Sequence, residues 1–217
     1  VILAGVLPRI PCFLHEQNVD PGLANKLMCR FARATFVSFA DSGKYLKGSK
    51  IVHTGNPVRT SLASQTARQE KGAFSIFVFG GSRGASSINE AVLNLLPLLE
   101  PREEVILYHQ TGSEDYDTVK KAYGKTKVRH EVFSFTDSME KYYTMSDLVI
   151  CRAGATTIFE LAFFRKAAIL IPYPYSAGQH QWKNASYIET IGGGYLIGNA
   201  EATADRLYGV IASVMKD

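Results

Sequence analysis

The sequence predicts an α/β fold built on parallel sheets. Three observations carry this reading. Short apolar runs recur along the whole chain, stretches with helical spacing separate them, and glycine-bearing turns stand where a run gives way to the next helix. Strands buried on both faces read as unbroken apolar runs, and a strand–helix–strand succession closes by right-handed crossovers into a parallel sheet.

Taken in order, residues 10–14 predict the first strand and residues 22–33 a helix. A strand over 35–39, a short helix over 41–46 and a strand over 51–54 follow. Residues 74–79 are apolar apart from Ser75 and end in Gly80-Gly81. Residues 86–99 place Ile88, Val92, Leu95, Leu96 and Leu99 at intervals of three and four, the period of a helix packed on one side. Further strands are predicted over 105–108, 128–133, 148–151 and 168–171. Helices are predicted over 116–123, 139–145, 156–164, 180–190 and 203–215. The alternation breaks only between residues 55 and 72, where Gly55-Asn56-Pro57 leads into a polar run ending at Lys71-Gly72. That break predicts a domain crossing, with two or three βα units before it and a nearly complete doubly wound domain after it.

The 217 residues are 46% hydrophobic and 20% charged, a globular composition. The net charge of +4 is unevenly placed. Residues 1–60 hold eight Lys/Arg against three Asp/Glu, and the remainder sixteen against seventeen. One local basic face is expected, not a footprint along a nucleic-acid duplex, so no nucleic-acid partner is expected. The chain opens on Val1 without a Met. Its apolar residues 1–7 are too few to cross a bilayer and lack the basic start of a signal peptide. The expectation is an internal portion of a longer protein. Cys12, Cys29 and Cys151 are widely spaced in apolar surroundings, which predicts buried free thiols in a reducing compartment, the cytoplasm. Neither a metal-ligand spacing, nor Asp-x-Asp, nor a Ser-His-Asp order is present, so no metal and no cofactor are expected.

Five segments could carry chemistry. Gly80-Gly81-Ser82-Arg83-Gly84-Ala85 joins a strand to a helix, where bare backbone and the helix N-terminus suit an anion such as a phosphate; a plain tight turn is the alternative. In the segment from Asp147 through Arg152-Ala153-Gly154-Ala155-Thr156-Thr157, a second strand-end glycine opens a helix. Glu160 lies one turn into that helix and could accept from two vicinal hydroxyls, or could merely complement the helix dipole. Pro172-Tyr173-Pro174-Tyr175 with His180-Gln181-Trp182-Lys183-Asn184 suits a polyhydroxylated, uncharged guest, or is a solvated helix start. His15-Glu16-Gln17-Asn18 would form a polar wall after the first strand. Arg59, past the Asn56-Pro57 turn, would place a guanidinium at the crossing for a phosphate or carbonyl, or lie free at the surface.

Together, and in this order, HEQN…PGLANK, GNPVR, GGSRGA, HQTG, DLVICRAGATTIFE and HQWKNA resemble the MurG glycosyltransferases of peptidoglycan synthesis, from about residue 10 to residue 194. The resemblance implies a GT-B architecture of two Rossmann-like domains facing a cleft. Residues 1–55 would be the tail of the acceptor-side domain, 56–72 the crossing, and 73–217 the donor-binding domain. It implies inverting transfer of N-acetylglucosamine from UDP-GlcNAc to undecaprenyl-pyrophosphoryl-MurNAc-pentapeptide (lipid I), without a metal, on the cytoplasmic face of the cell membrane. Carried over by motif, Ser82 lies at the diphosphate and Arg59 reaches toward the donor. Thr136 offers backbone groups to the uracil, Ala155, Thr156 and Thr157 line the donor pocket, Glu160 binds the ribose, and Gln181 and Asn18 touch the sugar. The general base is expected before Val1, so the 217 residues alone would bind UDP-sugar without turning it over. The basic first quarter, with residues 1–7 and Arg9, would meet anionic lipid. Two departures stand out: Arg83 where the family carries Gln, and Phe159 where it carries a small polar residue. Two other readings stay open: another GT-B enzyme, such as a UDP-GlcNAc 2-epimerase or a different lipid glycosyltransferase, and a non-catalytic UDP-sugar-binding module that needs a partner chain.

Overall fold

The computed structural model describes residues 4–5, 10–58 and 72–216, which form two parallel sheets. The first contains β1 (Phe13–Glu16), β2 (Ala34–Val37) and β3 (Lys50–His53), side by side in that order. The second contains β4 (Phe74–Phe79), β5 (Val105–Gln110), β6 (Arg129–Phe133), β7 (Leu148–Cys151), β8 (Ala167–Leu170) and β9 (Tyr195–Leu196). Its spatial order is β6-β5-β4-β7-β8-β9, with every pairing parallel. Counted from β4 this is 3-2-1-4-5-6, the doubly wound order, whose switch point falls between β4 and β7. The connecting helices are α1 (Leu23–Met28), α2 (Ser86–Leu99), α3 (Tyr116–Tyr123), α4 (Met139–Met145), α5 (Ala155–Phe164), α6 (His180–Thr190) and α7 (Ala204–Val214).

Strand alternation sends β4 side chains to two cores. Ile76 and Val78 pack on one face with Ile88, Val92, Leu95 and Leu99 of α2 and with Leu207 and Ile211 of α7. Phe77 and Phe79 pack on the other with Tyr142 and Tyr143 of α4, Ile158 and Leu161 of α5 and Ala185 of α6. Burying each such side chain stabilises by roughly 1.5–3 kcal/mol, so the middle strands are the rigid part of the molecule. Phe39, just past β2, is 4% exposed and lies edge-on to Phe159 of α5 and Tyr187 of α6. It joins the segment around the first sheet to the second core.

Several elements differ from the sequence-based expectation. The first strand begins three residues late, at Phe13, past Pro11, which has no N–H for a ladder. The helix expected over 22–33 stops at Met28 and tightens into a 3-10 turn at Cys29–Phe31. The Arg33 N–H then donates to the Cys12 carbonyl, where pairing of the first two strands starts. The short helix near residue 41 is also a 3-10 segment, Ala40–Tyr45. β5 runs on through His109 and Gln110, both fully buried. β9 has no counterpart in the sequence-based expectation; it is two residues long and follows Gly192-Gly193-Gly194. Cys29 and Cys151 are buried free thiols as expected, whereas Cys12 is half-exposed.

Candidate functional site

The turn after β4 is shaped by glycine. Gly81 and Gly84 have φ of +100° and +80°, a region that L side chains avoid. A Cβ on Gly84 would fall on the Thr111 carbonyl. Side chains from β5 and α2 fix the turn from below. Buried Gln110 donates from Nε2 to the Gly81 carbonyl at 3.2 Å. Asn89 donates from Nδ2 to the Thr111 carbonyl at 2.9 Å and to Asp115 Oδ2 at 2.8 Å. Its Oδ1 is therefore the acceptor for His109 Nε2 at 3.0 Å, which leaves His109 Nδ1 to accept from the Tyr123 hydroxyl at 3.1 Å. This network assigns the tautomer. Burial pushes the His109 pKa down to about 3, so the imidazole is neutral, and raises that of the Tyr123 phenol.

A pocket of about 450 Å³ opens above this turn, at the carboxyl ends of β4, β7 and β8. Gly80, Gly81, Gly84, Ser86, Ser87, Arg152, Gly154, Thr157, Tyr173 and Gln181 line it. The N-termini of α2 and α5 both open there, and neither is closed by a side-chain cap, so first-turn N–H groups of two helices face one space. Arg152, one residue beyond β7, supplies the pocket's formal positive charge. Its Nη1 donates to the carbonyls of Ile171 and Pro172, each at 3.0 Å, and to Asn199 Oδ1 at 2.8 Å, while Nη2 donates to Ser87 Oγ at 2.8 Å. Ser87 Oγ in turn donates to Asn199 Oδ1 at 2.8 Å. The guanidinium lies 5.6 Å from the Tyr173 ring centroid, and burial lowers its pKa from the ordinary arginine value. Gln181 Oε1 accepts the Tyr173 N–H at 2.9 Å, holding that ring at the pocket wall.

The residues singled out from sequence fall in different places. Thr157 and Gln181 line the pocket, Ala155 is buried behind it, and Thr156 is exposed beside it. Ser82 stands exposed at the tip of the glycine turn, and Ser87 is the serine in the lining. Glu160 is half-buried one turn into α5, where Oε2 accepts the Tyr143 hydroxyl at 2.9 Å. It lies past the helix's first turn, which contains no acid. Thr136 is half-buried beyond β6, with Oγ1 accepting the Ser138 N–H at 3.0 Å. Asn18 bridges to α6, its Oδ1 accepting from Asn184 Nδ2 at 3.0 Å. Arg59 lies outside the described residues, as do residues 1–3, residues 6–9 with Arg9, and most of the expected crossing. Arg152 and Ser87 received no role of their own from sequence, while Tyr173 was expected only as part of the segment suited to a polyhydroxylated guest. The signal for Arg152 was a lone cation directly after a fully buried strand, where only a partnered charge is tolerated.

The expected polar wall over His15–Asn18 is corrected. Glu16 is 2% exposed and turned inward, accepting from Asn18 N at 2.9 Å, Asn18 Nδ2 at 3.4 Å, Gly22 N at 3.0 Å and Asn25 Nδ2 at 2.8 Å. His15 faces a different pocket, of about 420 Å³, with Gly55 and Asn56. Asn18 is the member of the four that bonds to α6, through Asn184. A larger cavity, about 800 Å³, lies at the other ends of α5 and α6 among Leu161, Ile188 and Val214, away from both helix N-termini. Among the described residues no His, Cys, Asp and Glu cluster could hold a metal ion.

Residues 75–217 match the glycosyltransferase family 28 C-terminal domain. The chain belongs to that family. It is 40% identical over 222 aligned residues to the UDP-N-acetylglucosamine–N-acetylmuramyl-(pentapeptide) pyrophosphoryl-undecaprenol N-acetylglucosamine transferase of Geotalea daltonii. That alignment covers 100% of this chain and 61% of the relative. The crystal structure of Acinetobacter baumannii MurG superposes with a TM-score of 0.81 at 29% identity, covering 99% of this chain and 61% of that one. UDP-GlcNAc 2-epimerase from Neisseria meningitidis, bound to UDP-GlcNAc, shares the fold at a TM-score of 0.65 and 12% identity, over 99% of this chain and 64% of that one. The parallel sheets with their helices are those of a GT-B α/β protein, and the chain spans about 61% of the length of the curated relatives it matches.

Proposed function

We propose that the chain is the donor-binding portion of an enzyme that transfers N-acetylglucosamine from UDP-GlcNAc to undecaprenyl-pyrophosphoryl-MurNAc-pentapeptide. The observation that carries this is the 40% identity to a transferase of that name along the whole chain. The pocket supports it, because two uncapped helix N-termini and Arg152 converge where a diphosphate would need neutralising.

In this reading residues 73–217 are the donor domain, 56–72 the crossing and 1–55 the tail of the acceptor-side domain. The diphosphate lies against the glycine turn, with Ser82 at its tip and Arg152 at its floor. Glu160, held by the Tyr143 hydroxyl, accepts from the ribose hydroxyls, and the backbone near Thr136 meets the uracil. Ala155, Thr156 and Thr157 shape the donor pocket wall, Gln181 and Asn18 address the transferred sugar, and Arg59 reaches the donor from the crossing. As the acceptor hydroxyl attacks the anomeric carbon its proton passes to a base. The bond from that carbon to the diphosphate oxygen breaks, and UDP departs with the electron pair. The N–H groups of α2 and α5 and the guanidinium of Arg152 stabilise the charge on that oxygen. The partners are UDP-GlcNAc, lipid I and the anionic inner face of the cytoplasmic membrane, met peripherally; no helix among the described residues is long and apolar enough to cross it.

The test is transfer of labelled sugar from UDP-GlcNAc to a soluble lipid I analogue by the longer enzyme of which these residues are the donor-binding portion, with labelled glycolipid as the expected product. Release of free N-acetylmannosamine instead would favour the epimerase reading, and no reaction with either would refute the proposal. Flotation with anionic vesicles, lost in high salt, is the expected result for the membrane contact.

A further inference from the structure

The Arg152 guanidinium is held by neutral oxygens. Nη1 donates to the carbonyls of Ile171 and Pro172 and to Asn199 Oδ1, and Nη2 donates to Ser87 Oγ. Among the described residues no carboxylate pairs with it. These bonds occupy both N–H groups of Nη1 and one of Nη2, so Nε–H and the second Nη2–H are left for a guest. A cation fixed by neutral acceptors keeps its charge for an incoming anion.

Asn199 ties two of these groups together. A guanidinium only donates, so the amide atom 2.8 Å from Nη1 is the oxygen, which assigns the orientation of the amide. The same oxygen accepts the Ser87 hydroxyl at 2.8 Å. Ser87 therefore spends its proton on Asn199 and turns a lone pair to Nη2. The three side chains close a triangle from three separate elements. Ser87 stands in the first turn of α2, Arg152 just past β7, and Asn199 in the 3-10 turn Asn199–Glu201 beyond β9. The backbone on either side of Asn199 is fixed. Ile197 is buried and its N–H donates to the Leu170 carbonyl at 3.0 Å, while the Glu201 N–H donates to the Gly198 carbonyl at 2.9 Å. Asn199 lines the neighbouring hollow with Tyr173 and Trp182, whereas Arg152 and Ser87 line the donor pocket. It meets a donor through those two side chains.

We infer that Asn199 is a positioning residue for the donor: it aims the Arg152 guanidinium at the diphosphate and, being neutral, leaves the positive charge uncancelled. The inference rests on the proposed donor reading and deepens it. A carboxylate in place of the amide would accept the same two hydrogen bonds from the same place. Its negative charge would then lie within hydrogen-bond distance of the guanidinium and compete with the diphosphate for it. The fold would be served equally well by either group; the anion is served by the amide.

The experiment is calorimetric titration of the protein, of Asn199→Asp and of Asn199→Ala, each with UDP and with uridine. Asn199→Asp is expected to weaken UDP about tenfold and to leave uridine within twofold. Asn199→Ala loses the aim but adds no charge, and is expected to weaken UDP about threefold with uridine again unchanged. A merely structural role predicts the reverse order, because Asn199→Asp retains both acceptor bonds and Asn199→Ala retains neither. That reversed order, unchanged UDP affinity in both variants, or uridine binding lost in step with UDP would overturn the inference and leave the donor reading standing. Asn199→Ala carries the test by itself where the charged variant does not fold, since its UDP affinity must fall and its uridine affinity must not. An unmodified protein that binds uridine as tightly as UDP would overturn the donor reading and the inference with it.

Discussion

The turns after β1 and β4 obey the same rule of the parallel sheet yet end in opposite states. Each follows a parallel strand at its carboxyl end, where ligands of open α/β sheets gather. At His15–Glu16 the polar side chains are spent on the protein itself: Glu16 accepts four donors and His15 meets the Gly55 carbonyl. At Gly80–Ala85 three of the six residues are glycine, Ser82 and Arg83 stand exposed at the tip, and the fixing hydrogen bonds come from beneath, from Gln110 and Asn89. A polar cluster that satisfies itself is architecture; a glycine turn braced from behind leaves backbone N–H groups and room for a guest.

The contrast can be broken by mutation, and the largest effect belongs to the glycine turn. Gly84→Val places a side chain on the Thr111 carbonyl at a φ of +80°. It is expected to cost about 4 kcal/mol of stability and to abolish UDP binding, both read by thermal unfolding with and without nucleotide. Next comes the self-satisfied turn. Glu16→Ala leaves buried donors unpaired and should cost about 3 kcal/mol in denaturant unfolding, yet leave UDP affinity within twofold. If UDP affinity fell with it, the division between the two turns would be wrong.

Arg152→Met tests the charge at the pocket floor. It should weaken UDP roughly 30-fold, about 2 kcal/mol, while uridine binding stays unchanged. The support beneath the turn is sensitive to acid. The pKa of His109 is lowered from 6.5 to about 3 in the fold, so below pH 6.5 the unfolded chain takes up a proton that the folded chain refuses. This contribution is fully present above pH 6.5 and is lost as pH falls toward 3, by about 1.4 kcal/mol per pH unit. Unfolding free energies at pH 5.5 and 4.5 should differ by nearly that amount, and His109→Gln should flatten the slope. The smallest effect is at the seam, where Asp20 of the loop after β1 pairs with Lys183 of α6 and with Lys26, which lower its pKa. Lys183→Met should cost no more than about 1 kcal/mol, and less in high salt, because the pair is partly exposed.

Much of this was legible in the residues. The apolar run over 74–79, the helical spacing from Ile88 to Leu99 and the two glycine turns specify the central strands and the switch point, because burial on both sheet faces leaves a strong pattern. The end of β5 was not legible: His109 and Gln110 look like a polar exit from a strand until Asn89 and Tyr123 are seen to satisfy the imidazole and the Gly81 carbonyl to take the Gln110 Nε2 donor. The same physics hid Arg152, whose partners are 19 to 65 residues away in sequence. It also made the segment from His15 to Asn18 look like a site, since a side chain's partners cannot be counted along the chain.

The central claim is that the carboxyl edge at β4, β7 and β8 holds the diphosphate of a UDP-sugar. The direct measurement is calorimetric titration of the protein with UDP-GlcNAc, UDP and uridine, repeated with Arg152→Met. The expected result is one site for UDP-GlcNAc and UDP, uridine weaker by at least about tenfold, and most of that difference lost in the variant. Equal affinity for uridine and UDP, or a variant that discriminates between them as well as the unmodified protein, would contradict the account.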